Sequence, residues 1–93
     1  MAWFVYILRC ANQSYYIGHT SNPKARFLRH RNNEGAQHTA TYRPEGILYQ
    51  ERFDSEAEAI HRERQLKRWT RAKKEALIAG NAERLRSLST SHD

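Results

Sequence analysis

Five side chains in this sequence have the chemical types to work together: Tyr6, Tyr16, Arg26, His30 and Glu63. Phenols carry protons and hydrogen-bond phosphate oxygens. A guanidinium presents a planar fork of donors to the same oxygens. An imidazole one helical turn away can donate a hydrogen bond or relay a proton. A carboxylate set among apolar residues is expensive unless it is paired or holds a metal. Phosphodiester chemistry with one divalent ion would use such a set.

Glu63 carries the sharpest signal. Ala59, Ile60, Glu63, Leu66, Lys67 and Thr70 share one face at helical spacing, and Glu63 takes the centre, where leucine is expected. The structural alternative is a salt bridge to Lys67 or to a core arginine. Arg26 and His30 stack on one face at an i, i+4 interval, which by itself fits a solvated basic pair equally well. Tyr6 shares its strand parity with Leu8 and Cys10, so its ring leaves from an apolar face with a hydroxyl that needs a partner. Tyr16-Ile17-Gly18 ends on a glycine, which lets the backbone bend or another chain approach closely. His19, His38, His61 and His92 have no zinc-ligand spacing, and Cys10 is alone.

These residues need elements to hold them. Residues 3–9 are bulky on both parities, as in a strand covered on both faces. Ala11-Asn12-Gln13-Ser14 supplies a turn, and Tyr15–His19 returns as a second strand. Asn22 and Pro23 open a helix as N-cap and first residue, running to about Asn32-Asn33. Gly35 to Gly46 reads as a loop, and Ile47–Phe53 as a third strand. Ser55-Glu56-Ala57-Glu58 is a capping box for a helix to about Trp69. Thr70 caps the next helix, Arg71–Ala79, which Gly80 ends. Asn81 caps a short helix over 82–88, followed by a loose polar tail. The order ββαβααα predicts an α+β fold, a small three-stranded antiparallel sheet flanked by helices. Residues 1–80 form the expected domain, and 81–93 the short helix and tail.

The chain has 93 residues and a net charge of +6. That length makes one domain with a modest core. A single cysteine rules out an internal disulfide and fits a reducing compartment, and the apolar start is too short to span a bilayer. The expectation is a soluble, cytoplasmic, monomeric protein. Positive charge is concentrated in residues 24–31 and 62–74, a field that attracts polyanions. No basic stretch carries the broad apolar face that membrane insertion needs. Nucleic acid is therefore the expected partner, with His19, Lys24, Arg29, Arg64, Lys67, Arg68 and Lys73 as the contacts. Trp69 and the Tyr42-Arg43-Pro44 segment read as core and turn rather than as base-stacking platforms.

The ordered set resembles the GIY-YIG nuclease superfamily, in particular small stand-alone bacterial members. Phe4-Val5-Tyr6 stands where that family has Gly-Ile-Tyr, and Tyr16-Ile17-Gly18 is an intact second half. Arg26 and His30 match the family's helix arginine and histidine, and Glu63 its metal-binding acid. The resemblance implies hydrolysis of a phosphodiester with one Mg²⁺ or Mn²⁺ on Glu63. Arg26 would clamp the phosphate, Tyr6 would be the general base and Tyr16 would hydrogen-bond phosphate or water, with the two tyrosine roles open to exchange. It further implies that Arg26, a nearby histidine and the ion lower the Tyr6 pKa.

Three functional readings follow. The leading one is a metal-dependent endonuclease acting on DNA, with RNA the other substrate, in repair or recombination. The second is a non-catalytic nucleic-acid-binding module that retains the nuclease fold. The third is a subunit whose basic helices dock on an acidic protein.

Overall fold

The structure, a computed structural model, describes residues 1–32 and 42–92. Strand β1 (Trp3–Cys10) runs through the middle of a three-stranded sheet, between β2 (Tyr15–Thr20) and β3 (Pro44–Phe53). Both neighbours pair with it antiparallel. Helix α1 (Pro23–Arg31) follows β2, and α2 (Glu56–Lys67), α3 (Arg71–Ala79) and α4 (Ala82–His92) follow β3. This is the α+β order ββαβααα expected from the sequence.

The central strand is buried on both faces because each parity meets a different layer. Val5 and Ile7, with Ile17 of β2, pack against Ala59 and Leu66 of α2 to form the core. Trp69, Leu77 and Ile78 close over that cluster. Tyr6, Leu8 and Cys10 point to the opposite face, where His30 of α1 is buried against Tyr6. Alternation along a strand thus sorts the apolar core to one side and the phenol to the other.

The helix signals act as read. Asn22 accepts from the Ala25 N–H, Ser55 from Glu58 and Thr70 from Lys73, and Gly80 closes α3 in the left-handed region at φ 71°. Three boundaries differ from expectation. Strand β3 begins at Pro44, inside the expected loop; proline is tolerated as a first strand residue on an edge. Residues 35–41 of that loop lie outside the described residues. Strand β3 also carries two bulges, since the register passes from Ile7↔Tyr49 to Leu8↔Ile47 and from Arg9↔Gly46 to Cys10↔Pro44. Helix α2 stops at Lys67 rather than near Trp69, and α4 continues to His92, through residues expected as a loose tail. Among the described residues, no helix is long and apolar enough to cross a membrane.

Candidate active site

Tyr6 and Gly18 face each other across the β1–β2 pair. The Tyr6 ring lies over the glycine so closely that a Cβ there would sit 2.5 Å from the hydroxyl oxygen and 2.7 Å from Cζ. The glycine expected to permit a close approach permits the approach of this ring. Tyr16 of β2 stands beside it, with ring centroids 6.3 Å apart. His30 completes the group from α1, its ring 5.0 Å from that of Tyr16 and its Nε2 3.0 Å from the Tyr6 hydroxyl.

Burial sets the protonation of this pair. Tyr6 is 2% exposed and His30 0%. Loss of solvent pushes the Tyr6 phenol up to about 12, against the pull of the Arg26 guanidinium beside it, and neighbouring Tyr16 and Glu63 add to the rise. Without a bound ion, desolvation outweighs the arginine, and the shift runs opposite to the lowering expected with one. His30 moves the other way, down to about 4, through burial and then the charges of Arg26 and Arg29. At neutral pH both groups are neutral, and the His30 tautomer decides which of the two donates.

Glu63 comes from the layer on the other face of the sheet. Its carboxylate, 15% exposed, takes His19 Nδ1 on Oε1 at 2.5 Å and Lys67 Nζ on Oε2 at 2.7 Å. Burial would raise its pKa, but Lys67 and His19 together overcome that and hold it below the usual carboxylate range. His19 is further fixed by Glu56, 3.4 Å from Nε2, and by the Trp3 ring at 5.9 Å. Adjacent residues of β2 therefore serve the two sides: Gly18 receives Tyr6, and His19 holds Glu63. The negative charge of Glu63 adds the smallest contribution to the rise at Tyr6.

Among the described residues no three His, Cys, Asp or Glu side chains gather into a metal-binding cluster. The donor set does fit a hydrated divalent ion of the Mg²⁺ type, which keeps several waters and takes only one or two protein carboxylates. Glu63 is such a carboxylate, ionised and partly open to solvent.

The basic residues divide. Lys24, Arg29, Arg64, Lys67 and Arg68 are exposed. Lys73, expected as a nucleic-acid contact, is 4% exposed and lies over the Trp69 ring at 4.5 Å. Arg62 covers the same indole at 5.1 Å and pairs with Glu51 at 2.9 Å. One residue and two contacts were not read from the sequence. Glu56 lies two turns before Glu63 on the same helical face, a spacing that could have flagged it. The His19–Glu63 contact spans distant segments and left no local signal. His30 as partner of Tyr6 could have been inferred from the apolar parity of that strand.

The GIY-YIG catalytic domain matches residues 2–76 of this chain. The chain belongs to the GIY-YIG family. Its relatives include a UPF0213 protein of Natronomonas pharaonis, 42% identical over 76 residues, which are 82% of this chain and 89% of that one. A UPF0213 protein of Staphylococcus saprophyticus is 38% identical over 76 residues, 82% of this chain and 93% of that one. The solution NMR structure of a UPF0213 protein from Bacillus halodurans superposes with a TM-score of 0.53 at 34% identity, covering 96% of this chain and 98% of that chain. This GIY-YIG chain is thus a small member of a family of nucleases, and its match to the family's catalytic domain runs from β1 into α3.

Proposed function

We propose that the chain is a metal-dependent endonuclease that hydrolyses phosphodiester bonds in DNA, in a cytoplasmic setting. The convergence on the Tyr6 hydroxyl carries this reading. His30 hydrogen-bonds it at 3.0 Å, and Arg26, Tyr16 and Glu63 all act on its charge. A purely structural tyrosine needs one hydrogen-bond partner, not an imidazole, a cation and an acid drawn from α1 and α2.

Arg26 binds the scissile phosphate and meets the charge that builds on it. Tyr16, more exposed than Tyr6, hydrogen-bonds the phosphate or the attacking water. Tyr6 takes the water proton. Because its pKa stands near 12, a standing phenolate is scarce at neutral pH. A base role for Tyr6 therefore relies on Arg26 and on the charge a bound ion would supply, both of which favour the phenolate. Glu63 would hold one Mg²⁺ or Mn²⁺, which would supply positive charge to the phosphate in the transition state. Lys24, Arg29, Arg64 and Arg68 supply phosphate contacts around this centre.

A plasmid-nicking assay with Mg²⁺, with Mn²⁺ and with chelator tests the proposal. Nicked circles with either ion and none with chelator are expected. Intact plasmid throughout, with salt-sensitive DNA binding retained, would favour the non-catalytic binding module. One feature favours that second reading: both oxygens of Glu63 already have protein partners.

A further inference from the structure

The two partners of Glu63 are not alike. His19 is fixed on three sides, by Glu63, by Glu56 at 3.4 Å and by the Trp3 ring. Lys67 is fixed only by its charge: its side chain is 51% exposed, four rotatable bonds long, and reaches Oε2 from the next helical turn. An ion arriving from solvent therefore finds Oε1 behind a clamped ring and Oε2 behind a movable ammonium. Two cations cannot share that oxygen at contact distance without strong repulsion.

We propose that Lys67 is a positioning residue that acts as a built-in counter-ion. It holds the Glu63 carboxylate ionised and oriented while no divalent ion is bound, and it must leave Oε2 for one to bind. Lys67 thus sets the ion affinity of the site, and His19 keeps the carboxylate in place during the exchange. The released ammonium stays on the exposed basic side of α2 with Arg64 and Arg68, where a phosphate can take over as its partner. This inference rests on the reading of Glu63 as the ion's ligand.

Mn²⁺ binding to the protein alone, followed by electron paramagnetic resonance of the free ion, provides the test without any turnover. The variants are Lys67→Met, Lys67→Arg and Glu63→Gln. An i, i+4 pair this exposed contributes little to stability, so the Lys67 variants should fold. Lys67→Met, similar in length but uncharged, should bind Mn²⁺ roughly two- to fivefold more tightly, the range into which exposed ion-pair energies convert. Lys67→Arg should bind as the parent does, and Glu63→Gln should lose the site. Equal or weaker binding by Lys67→Met, with the site still lost in Glu63→Gln, overturns the role of Lys67 alone. Parent-like binding by Glu63→Gln overturns the assignment of Glu63 as well.

Discussion

The Tyr6 hydroxyl and His30 Nε2 meet at 3.0 Å in a place closed to solvent. Burial drives their pKa values apart, the phenol to about 12 and the imidazole to about 4. Pairs whose environments separate them in this way are the usual source of acid and base assignments in enzyme sites. Here both groups stay neutral across the physiological range, and their hydrogen bond ties the Tyr6 hydroxyl to α1.

The first consequence is a stability that fails in acid. His30 has a folded pKa of about 4 against an ordinary 6.5. Between those values the unfolded chain binds a proton that the folded chain refuses, so stability is full above about pH 6.5 and falls as pH drops towards about 4. The loss should be on the order of 3 kcal/mol. Urea midpoints across that window should fall for the parent and fall less for His30→Gln. Parallel curves for the two proteins would remove His30 from the account.

His30→Gln should also slow cleavage, because it changes the contact that positions the Tyr6 hydroxyl, while DNA affinity stays near the parent value. Single-turnover nicking beside a binding isotherm checks both. A large loss of affinity with an unchanged cleavage step would mean that His30 holds substrate rather than Tyr6.

Gly18 should tolerate no side chain. Its Cβ would lie 2.5 Å from the Tyr6 hydroxyl oxygen, whereas Gly46 has nothing within 4 Å of the same position. Gly18→Ala should destabilise by about 1–3 kcal/mol and depress activity by displacing the ring. Gly46→Ala, in the bulged part of an edge strand, should be within about 0.5 kcal/mol of the parent. Denaturation midpoints of the two variants, measured together, decide the matter.

The basic surface should be divided in solution as it is in the fold. Replacing Arg64 or Arg68 by alanine should weaken DNA binding across sequences and lower the salt slope by about 1 each. Lys73→Met should leave the slope unchanged, because that ammonium lies buried over Trp69. A reduced slope for Lys73→Met would mean that the Trp69 stack opens on nucleic acid.

Much of this was legible in the sequence, for identifiable reasons. Caps at Asn22, Ser55, Thr70 and Gly80 mark helix ends by local chemistry, and the strand parity of Tyr6, Leu8 and Cys10 states which face the phenol leaves. What escaped is tertiary. The bulges of β3 add residues that no alternation pattern can foresee, and they let the strand start at Pro44. Which lysine of the run 62–74 turns inward depends on where Trp69 docks, so Lys73 looked like its neighbours. The sign of the Tyr6 pKa shift depends on how deeply α1 buries it, and sequence spacing supplies the charges but not the burial. The joining of His19 to Glu63 is a long-range contact, visible only once β2 and α2 are side by side.

The central claim is that Glu63, from one layer, works with the tyrosines and Arg26 of the other. The most direct measurement is plasmid nicking in Mg²⁺ by Glu63→Ala beside the parent protein, with DNA affinity measured on the same samples. The account predicts that the parent nicks, that Glu63→Ala does not, and that both bind DNA nearly equally. Equal nicking by the two proteins would contradict it.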